Sequence, residues 1–319
     1  MLSLPDIQQA QQSIHNYVKR TPLVRSRTLS ELLEANVYLK LEIFQTTGAF
    51  KVRGAFNKIL SELDRAKTSG VVAVSGGNHA QAVAYAGKVL DCRAVILALK
   101  KTPRNYVDAT RDYGAEVIQL DDITQCFAKA QEYEQQGMLF VHPFDDPLVM
   151  AGQGTLALEI LEDVPNLTDV FVSIGGGGLM SGVAAAIRSQ KRVRIWGVET
   201  EGADAMARAL AAGHPVEIKP SSIAKTLGAP SVSDSTLAMA KHHLASITVV
   251  SDSEAMQALE LLLERVKVLT EPAASCTLAA ALRMKQHFRP ESHIALILCG
   301  GNLATQDLCE YHAAFQKNN

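Results

Sequence analysis

Apolar positions along this chain follow two alternating periods. Short runs of β-branched and aliphatic residues give way to longer stretches whose apolar residues recur every three or four positions. The short runs predict strands at 37–42, 71–75, 93–99, 116–120, 138–142, 169–174, 194–199, 246–251 and 293–299. The longer stretches predict helices at 49–67, 78–90, 103–113, 123–136, 147–162, 178–189, 203–212, 235–243, 253–267, 272–286 and 305–315. An amphipathic helix opened by Pro5 and Asp6 precedes them, and a Pro/Ser/Lys-rich segment fills 217–234. Alternation of this kind writes a parallel sheet with crossover helices, and strands as apolar as 71–74 are those covered on both faces. The expected fold is α/β: two open, mostly parallel twisted sheets, with a cleft between the lobes or at strand C-termini.

Composition narrows the partners. Lys and Arg number 31 against 33 Asp and Glu, a net charge of −2, which supplies no electrostatic reason for nucleic acid or an anionic membrane. Neither a secretory leader nor an apolar run long enough to span a bilayer is present in the sequence, so a soluble chain is expected. Cys92, Cys126, Cys276, Cys299 and Cys309 are odd in number and scattered. They read as reduced thiols of a cytoplasmic protein.

Two stretches carry chemistry. In "VSIGGGGLMSG" (172–182) four glycines separate an apolar strand from a helix, leaving backbone N–H groups open at a helix N-terminus, where an anion binds. The P-loop pattern is absent, and the dinucleotide fingerprint fails because Met180 or Ser181 stands where its last glycine belongs. One monophosphate is the tenant this favours. A nicotinamide dehydrogenase using Glu199 as its ribose acid, or a glycine hinge without ligand, stays open at this point. In "TTGAFKVRGAF" (46–56), Lys51 follows Ala49 and Phe50 and precedes Val52. An apolar setting lowers a lysine's pKa and favours the nucleophilic neutral amine. A small cofactor with one phosphate and one aldehyde satisfies both stretches: pyridoxal phosphate, held through a lysine Schiff base.

"TTGAFKVRGA", "SGGNHAQAVA", "GGGGL" and a late "CGGN", in that order, resemble the fold-type II pyridoxal-phosphate enzymes, more closely the serine/threonine dehydratases with serine racemase. The resemblance extends through "FDDPLVMAGQGTLALEI" (144–160) and "LLERVKVLTEPAAS" (262–275). It implies that Lys51 is the Schiff-base lysine and the base for the substrate α-proton. It implies that Phe50, Asn78, Gly175, Gly176, Gly177, Gly178, Leu179, Glu271 and Cys299 contact the cofactor. Ser75, Gly77, Asn78 and His79 then receive the substrate carboxylate, His79 more as a structural or orienting residue than as a base. Cys299 would face the pyridine nitrogen, where a neutral thiol keeps the ring a weak electron sink suited to β-elimination. The resemblance also implies a large cofactor-binding domain (1–69 and 148–319), a small mobile substrate-side domain (70–147), and a homodimer or higher homo-oligomer. The expected activity is dehydration and deamination of a β-hydroxy-α-amino acid such as L-threonine or L-serine to a 2-oxo acid and ammonia. A racemase, a β-replacement synthase and a non-catalytic cofactor-binding subunit are the alternatives. A C-terminal regulatory domain, and feedback control by isoleucine with it, is not expected at 319 residues.

Departures from the pattern bear on the substrate. Gly76 replaces the second serine of the racemase, which delivers a proton to the opposite face, and so favours one-sided elimination. The loop 98–110 lacks its usual Met-Pro opening and carries Tyr106 where lysine is common. Lys225 and Thr226 stand in place of Asp-Gly, which leaves a larger or differently charged substrate open. Of the divalent-metal site in some relatives, Glu199 and Ala203 match but Ala205 replaces the liganding aspartate, and no metal is expected.

Overall fold

The structure, a computed structural model, describes residues 2–188 and 193–316. Its strands are β1 (Leu23–Arg25), β2 (Asn36–Leu41), β3 (Val71–Val74), β4 (Ala94–Leu99), β5 (Glu116–Leu120), β6 (Leu139–Phe140), β7 (Asp169–Ser173), β8 (Arg194–Thr200), β9 (Leu244–Val250) and β10 (His293–Leu298). The helices are α1 (Leu4–Ile14), α2 (Arg27–Leu33), α3 (Lys51–Ser61), α4 (Leu63–Ser69), α5 (Asn78–Val89), α6 (Arg104–Asp112) and α7 (Ile123–Gln135), followed by α8 (Pro147–Asp163) and α9 (Gly178–Ile187). After them come α10 (Ala205–Ala212), α11 (Asp234–His243), α12 (Asp252–Leu261), α13 (Pro272–Arg283) and α14 (Thr305–Gln316).

Two sheets form. One has the order β1-β2-β10-β7-β8-β9, parallel except for β1, which pairs antiparallel with β2 at the edge. The other has the order β5-β4-β3-β6 and is parallel throughout. Strand alternation sends β3 into two cores at once. Val71 and Ala73 join Phe56 and Ile59 of α3 and Val83 of α5, whereas Val72 and Val74 join Cys126 and Ala130 of α7. That is why every residue of β3 is apolar and buried. The predicted α/β class, with two mostly parallel sheets and helices on both faces, is the one observed.

The departures from the predicted elements are local. The predicted helix 49–67 begins only at Lys51, because Ala49 is bridged to Gly300 and the Phe50 N–H is donated to the Cys299 carbonyl at 3.0 Å. It then breaks at Glu62, whose backbone leaves the helical region at φ −132° and ψ 40°. The short β1 and α2 have no counterpart among the predicted elements. The former is a three-residue edge strand, and the latter is capped by Ser26, whose hydroxyl accepts from the Leu29 N–H. The predicted helix 253–267 widens into a π turn at Leu262–Val266 and ends on Lys267 at φ 66°. Position 189, the end of the predicted helix 178–189, lies outside the described residues. No helix among the described residues is long and apolar enough to cross a membrane.

Candidate active site

The cleft lies beyond the C-terminal ends of β10, β7 and β3, where an open α/β sheet presents loops rather than side-chain-packed strands. Past β10 the chain runs Cys299-Gly300-Gly301-Asn302 and is stitched to the segment before Lys51. The Gly301 N–H is donated to the Gly48 carbonyl at 2.9 Å, and the Asn302 side-chain amide to the Thr47 carbonyl at 2.8 Å. Gly48 sits at φ 72°, and a Cβ there would come within 2.5 Å of the Asn302 side-chain oxygen. Only glycine meets both demands.

Lys51 opens α3 and donates from Nζ to the Pro143 carbonyl at 2.6 Å, with the Phe50 ring 5.2 Å away. It forms no ion pair with a described carboxylate. Burial pushes its amine well below the ordinary lysine value, to about 8, against the raising influence of Cys299 and Glu271 nearby. A neutral, nucleophilic amine is therefore within reach at physiological pH.

Glu271 faces the same space. Its Oε1 accepts from the Asn78 side-chain amide at 2.9 Å and from the Thr226 hydroxyl at 2.8 Å, while Oε2 is buried without a partner. Burial pushes this carboxyl up to about 7. Asn78 in turn accepts from the Asn302 amide at 2.8 Å, which ties the start of α5 to the end of β10. The Cys299 thiol receives a hydrogen bond from Ser173 at 3.3 Å, and burial raises it to about 12, so it stays neutral at pH 7.

Gly175, Gly176, Gly177 and Gly178 connect β7 to α9 under crowding from three sides. A Cβ on Gly176 would lie 2.2 Å from the Phe144 ring, one on Gly175 would lie 3.1 Å from the Leu227 backbone, and one on Gly177, at φ 96°, 2.7 Å from Thr236 Cβ. The first hydrogen bond of α9 runs from the Ser181 N–H to the Gly177 carbonyl. The backbone N–H groups of Gly175 to Leu179 therefore have no acceptor among the described residues, although Gly176 to Leu179 are buried. Such a set of donors at a helix N-terminus suits a phosphate.

A second helix N-terminus enters the cleft at Ser75-Gly76-Gly77-Asn78. The Ser75 hydroxyl accepts from the Gly77 N–H at 3.2 Å, and α5 begins its own ladder only at Gln81. His79 donates from Nε2 to the Val141 carbonyl at 2.8 Å, and its Nδ1 is buried without a partner. Burial, with the Lys51 charge adding to it, pushes its imidazole down to about 3. It is a neutral, anchored ring and no proton donor at neutral pH.

Pro143 has no signal of its own in the sequence, and Phe144 enters there only as the first residue of the 144–160 stretch, with no role assigned. They link the halves of the cleft: Lys51 holds the carbonyl of one, and the ring of the next lies against Gly176. Two consecutive residues therefore touch both the amine and the glycine run. Thr226, which stands out in the sequence only as a departure, reaches Glu271, whereas its neighbour Lys225 turns outward onto Asp307 at 3.1 Å. Tyr106 donates to the Asn302 carbonyl at 2.6 Å and so joins α6 to the end of β10. Glu199 is elsewhere: both its oxygens accept from the Met206 and Ala207 N–H groups at 2.8 Å, holding the start of α10. No cluster of three metal-ligating side chains occurs among the described residues.

The sequence profile of the pyridoxal-phosphate dependent enzymes matches residues 14–300. This chain belongs to that family. Its cofactor is pyridoxal phosphate, and the unpartnered amides of 175–179, the half-satisfied Glu271 and the low-pKa amine of Lys51 fit that group. An L-threonine ammonia-lyase of Thermotoga maritima is 40% identical over 95% of this chain and 76% of its own. The structure of maize serine racemase superposes with a TM-score of 0.91 at 33% identity, covering 99% of this chain and 98% of that one. A threonine deaminase from T.th. gives a TM-score of 0.88 at 37% identity, covering 95% of this chain and 99% of that one.

Proposed function

We propose that this family member is an ammonia-lyase that dehydrates and deaminates L-threonine or L-serine to the 2-oxo acid and ammonia. The observation that carries the reading is that Pro143 and Phe144, adjacent in the chain, join the Lys51 amine to the glycine run whose amides at 175–179 have no partner among the described residues. The identity to L-threonine ammonia-lyases supports it.

Pyridoxal phosphate, when bound, supplies the aldehyde that engages amines and the ring that accepts electrons from the α-carbon. In the reading proposed here, Lys51, Phe50, Asn78, Gly175 to Gly178, Leu179, Glu271 and Cys299 hold it. The amides of the 75–79 loop and the Ser75 hydroxyl hold the substrate carboxylate, which fixes the direction of the Cα–H bond. Lys51, neutral near pH 8, takes the α-proton onto Nζ. The neutral Cys299 thiol leaves the ring nitrogen without an acidic partner, which suits loss of a β-hydroxyl over prolonged charge storage. Gly76 offers no side chain for proton delivery, which weighs against the racemase alternative. With Lys225 turned onto Asp307, the cation that would have welcomed a second substrate carboxylate is withdrawn, and a small neutral side chain is favoured. The small domain (70–147) is taken to move over a larger one (1–69 and 148–319), in a cytoplasmic homo-oligomer.

The test is to supply L-threonine and L-serine to the cofactor-loaded protein and follow 2-oxo acid, ammonia and D-amino acid separately. Equal yields of ammonia and 2-oxo acid are expected. D-serine in excess of pyruvate would overturn the assignment in favour of racemisation.

A further inference from the structure

Two departures that lie apart in the sequence, Gly76 and the loop 98–110, meet in space. Thr102 lies in the turn after β4, its N–H donated to the Leu99 carbonyl at 2.9 Å and Pro103 following it. A Cβ built on Gly76 would stand 2.5 Å from the Thr102 hydroxyl oxygen, 3.0 Å from its methyl and 3.3 Å from its Cβ. The threonine side chain therefore occupies the volume that a side chain at 76 would fill, reaching it from a different strand. On the neighbouring residue, a Cβ at Gly77 would find only the Thr226 methyl, at 3.6 Å. The two glycines are thus flanked by two threonines from segments far away in sequence. Their hydroxyls differ. Thr226 spends its proton on Glu271, while the half-buried Thr102 hydroxyl has no hydrogen-bond partner among the described residues.

We propose that Thr102 is a substrate-contacting residue whose hydroxyl donates a hydrogen bond to the amino-acid carboxylate on the 75–79 loop, replacing from the loop of the neighbouring strand β4 the side chain that Gly76 lacks. The inference rests on the reading of that loop as the carboxylate site. Its physical basis is that the hydroxyl is a donor lying against the backbone of a loop whose own N–H groups gather an anion, and that it has no competing acceptor. A hydrogen bond to a charged group is worth enough to change affinity by about tenfold or more. The arrangement also makes residues 76 and 102 interdependent, since any Cβ at 76 displaces the threonine.

The experiment uses the cofactor-loaded protein and glycerate, which keeps the carboxylate and β-hydroxyl of serine but carries a hydroxyl in place of the reactive amine, with binding read by calorimetry. Thr102→Val, which keeps the volume and removes the donor, is expected to weaken glycerate about tenfold or more and to raise KM for L-threonine more than it lowers kcat. Thr102→Ser is expected to restore both. Gly76→Ala should weaken glycerate as Thr102→Val does, and the double variant should be no worse than either single one. Unchanged glycerate affinity in Thr102→Val, or a serine variant as weak as the valine one, would overturn the role of Thr102 alone. Failure of the wild type to bind glycerate, with its cofactor absorbance intact, would overturn the carboxylate loop itself and this inference with it.

Discussion

Lys51 and Arg53 lie two residues apart in the first turn of α3, both cationic, the first half-buried and the second fully buried, yet they meet opposite surroundings. Two helical steps turn the side chain by roughly 200°, so one faces the cleft and the other faces the layer between β2 and α8. Arg53 is enclosed: it donates to both oxygens of Glu42, at 2.9 and 2.8 Å, and to both of Glu159, at 2.7 and 3.0 Å. Lys40 completes the cluster by donating to Glu159 and to the Thr21 carbonyl, so two cations face two carboxylates. Burial works against the guanidinium charge, but Glu42 and Glu159 more than offset it and its pKa rises further. Lys51 has only a carbonyl to donate to, and its pKa falls. The contrast separates a buried charge that holds layers together from one that is kept reactive. Full pairing marks the first, and a missing counter-ion marks the second.

The comparison is broken most severely at Lys51. Lys51→Ala should abolish the visible absorbance of the bound cofactor and lower turnover by about a thousandfold or more, as expected on losing both the covalent anchor and the base. Chemical denaturation of the cofactor-free variant should show stability close to that of the wild type, since no ion pair is lost. Retained absorbance would sink the assignment. At Arg53 the expectation reverses. Arg53→Ala strands Glu42 in the interior, leaves Glu159 to Lys40 alone, and should cost about 3–5 kcal/mol in the same denaturation experiment. The subtlest effect concerns the charge on the amine. Cofactor capture requires neutral Lys51, so its rate should rise with pH with a midpoint near 8. Glu271 favours the ammonium form; Glu271→Gln should move that midpoint to lower pH, by a fraction of a unit. An unmoved midpoint would mean that Glu271 is uncharged in the native cleft.

Lys51 and the glycine run are legible in the sequence because each is a local signal: a lysine among apolar neighbours, and open amides between strand and helix. The parallel sheets are legible because wholly apolar strands such as β3 have few other uses. The roles of Pro143 and Phe144 are not, even though Phe144 opens the 144–160 stretch, since they arise only because the chain carries them between Lys51 and Gly176. The break at Glu62 escapes for a similar reason, since glutamate is a good helix former and nothing local announces a turn there. Lys225 and Thr226 stand out as departures, but their neighbourhoods diverge: one reaches Asp307 and the other Glu271, both distant in sequence.

The order of strands and helices, the anion-gathering loops and the candidate amine were determined by the sequence itself, because backbone preference and side-chain periodicity depend on near neighbours. The tertiary structure alone decided that Lys51 is short of a counter-ion while Arg53 has two, and that a threonine on one strand's loop fills the gap left by a glycine on another's. Desolvation and pairing depend on which distant residues the sheet register brings within a few ångströms, and no local pattern encodes that distance.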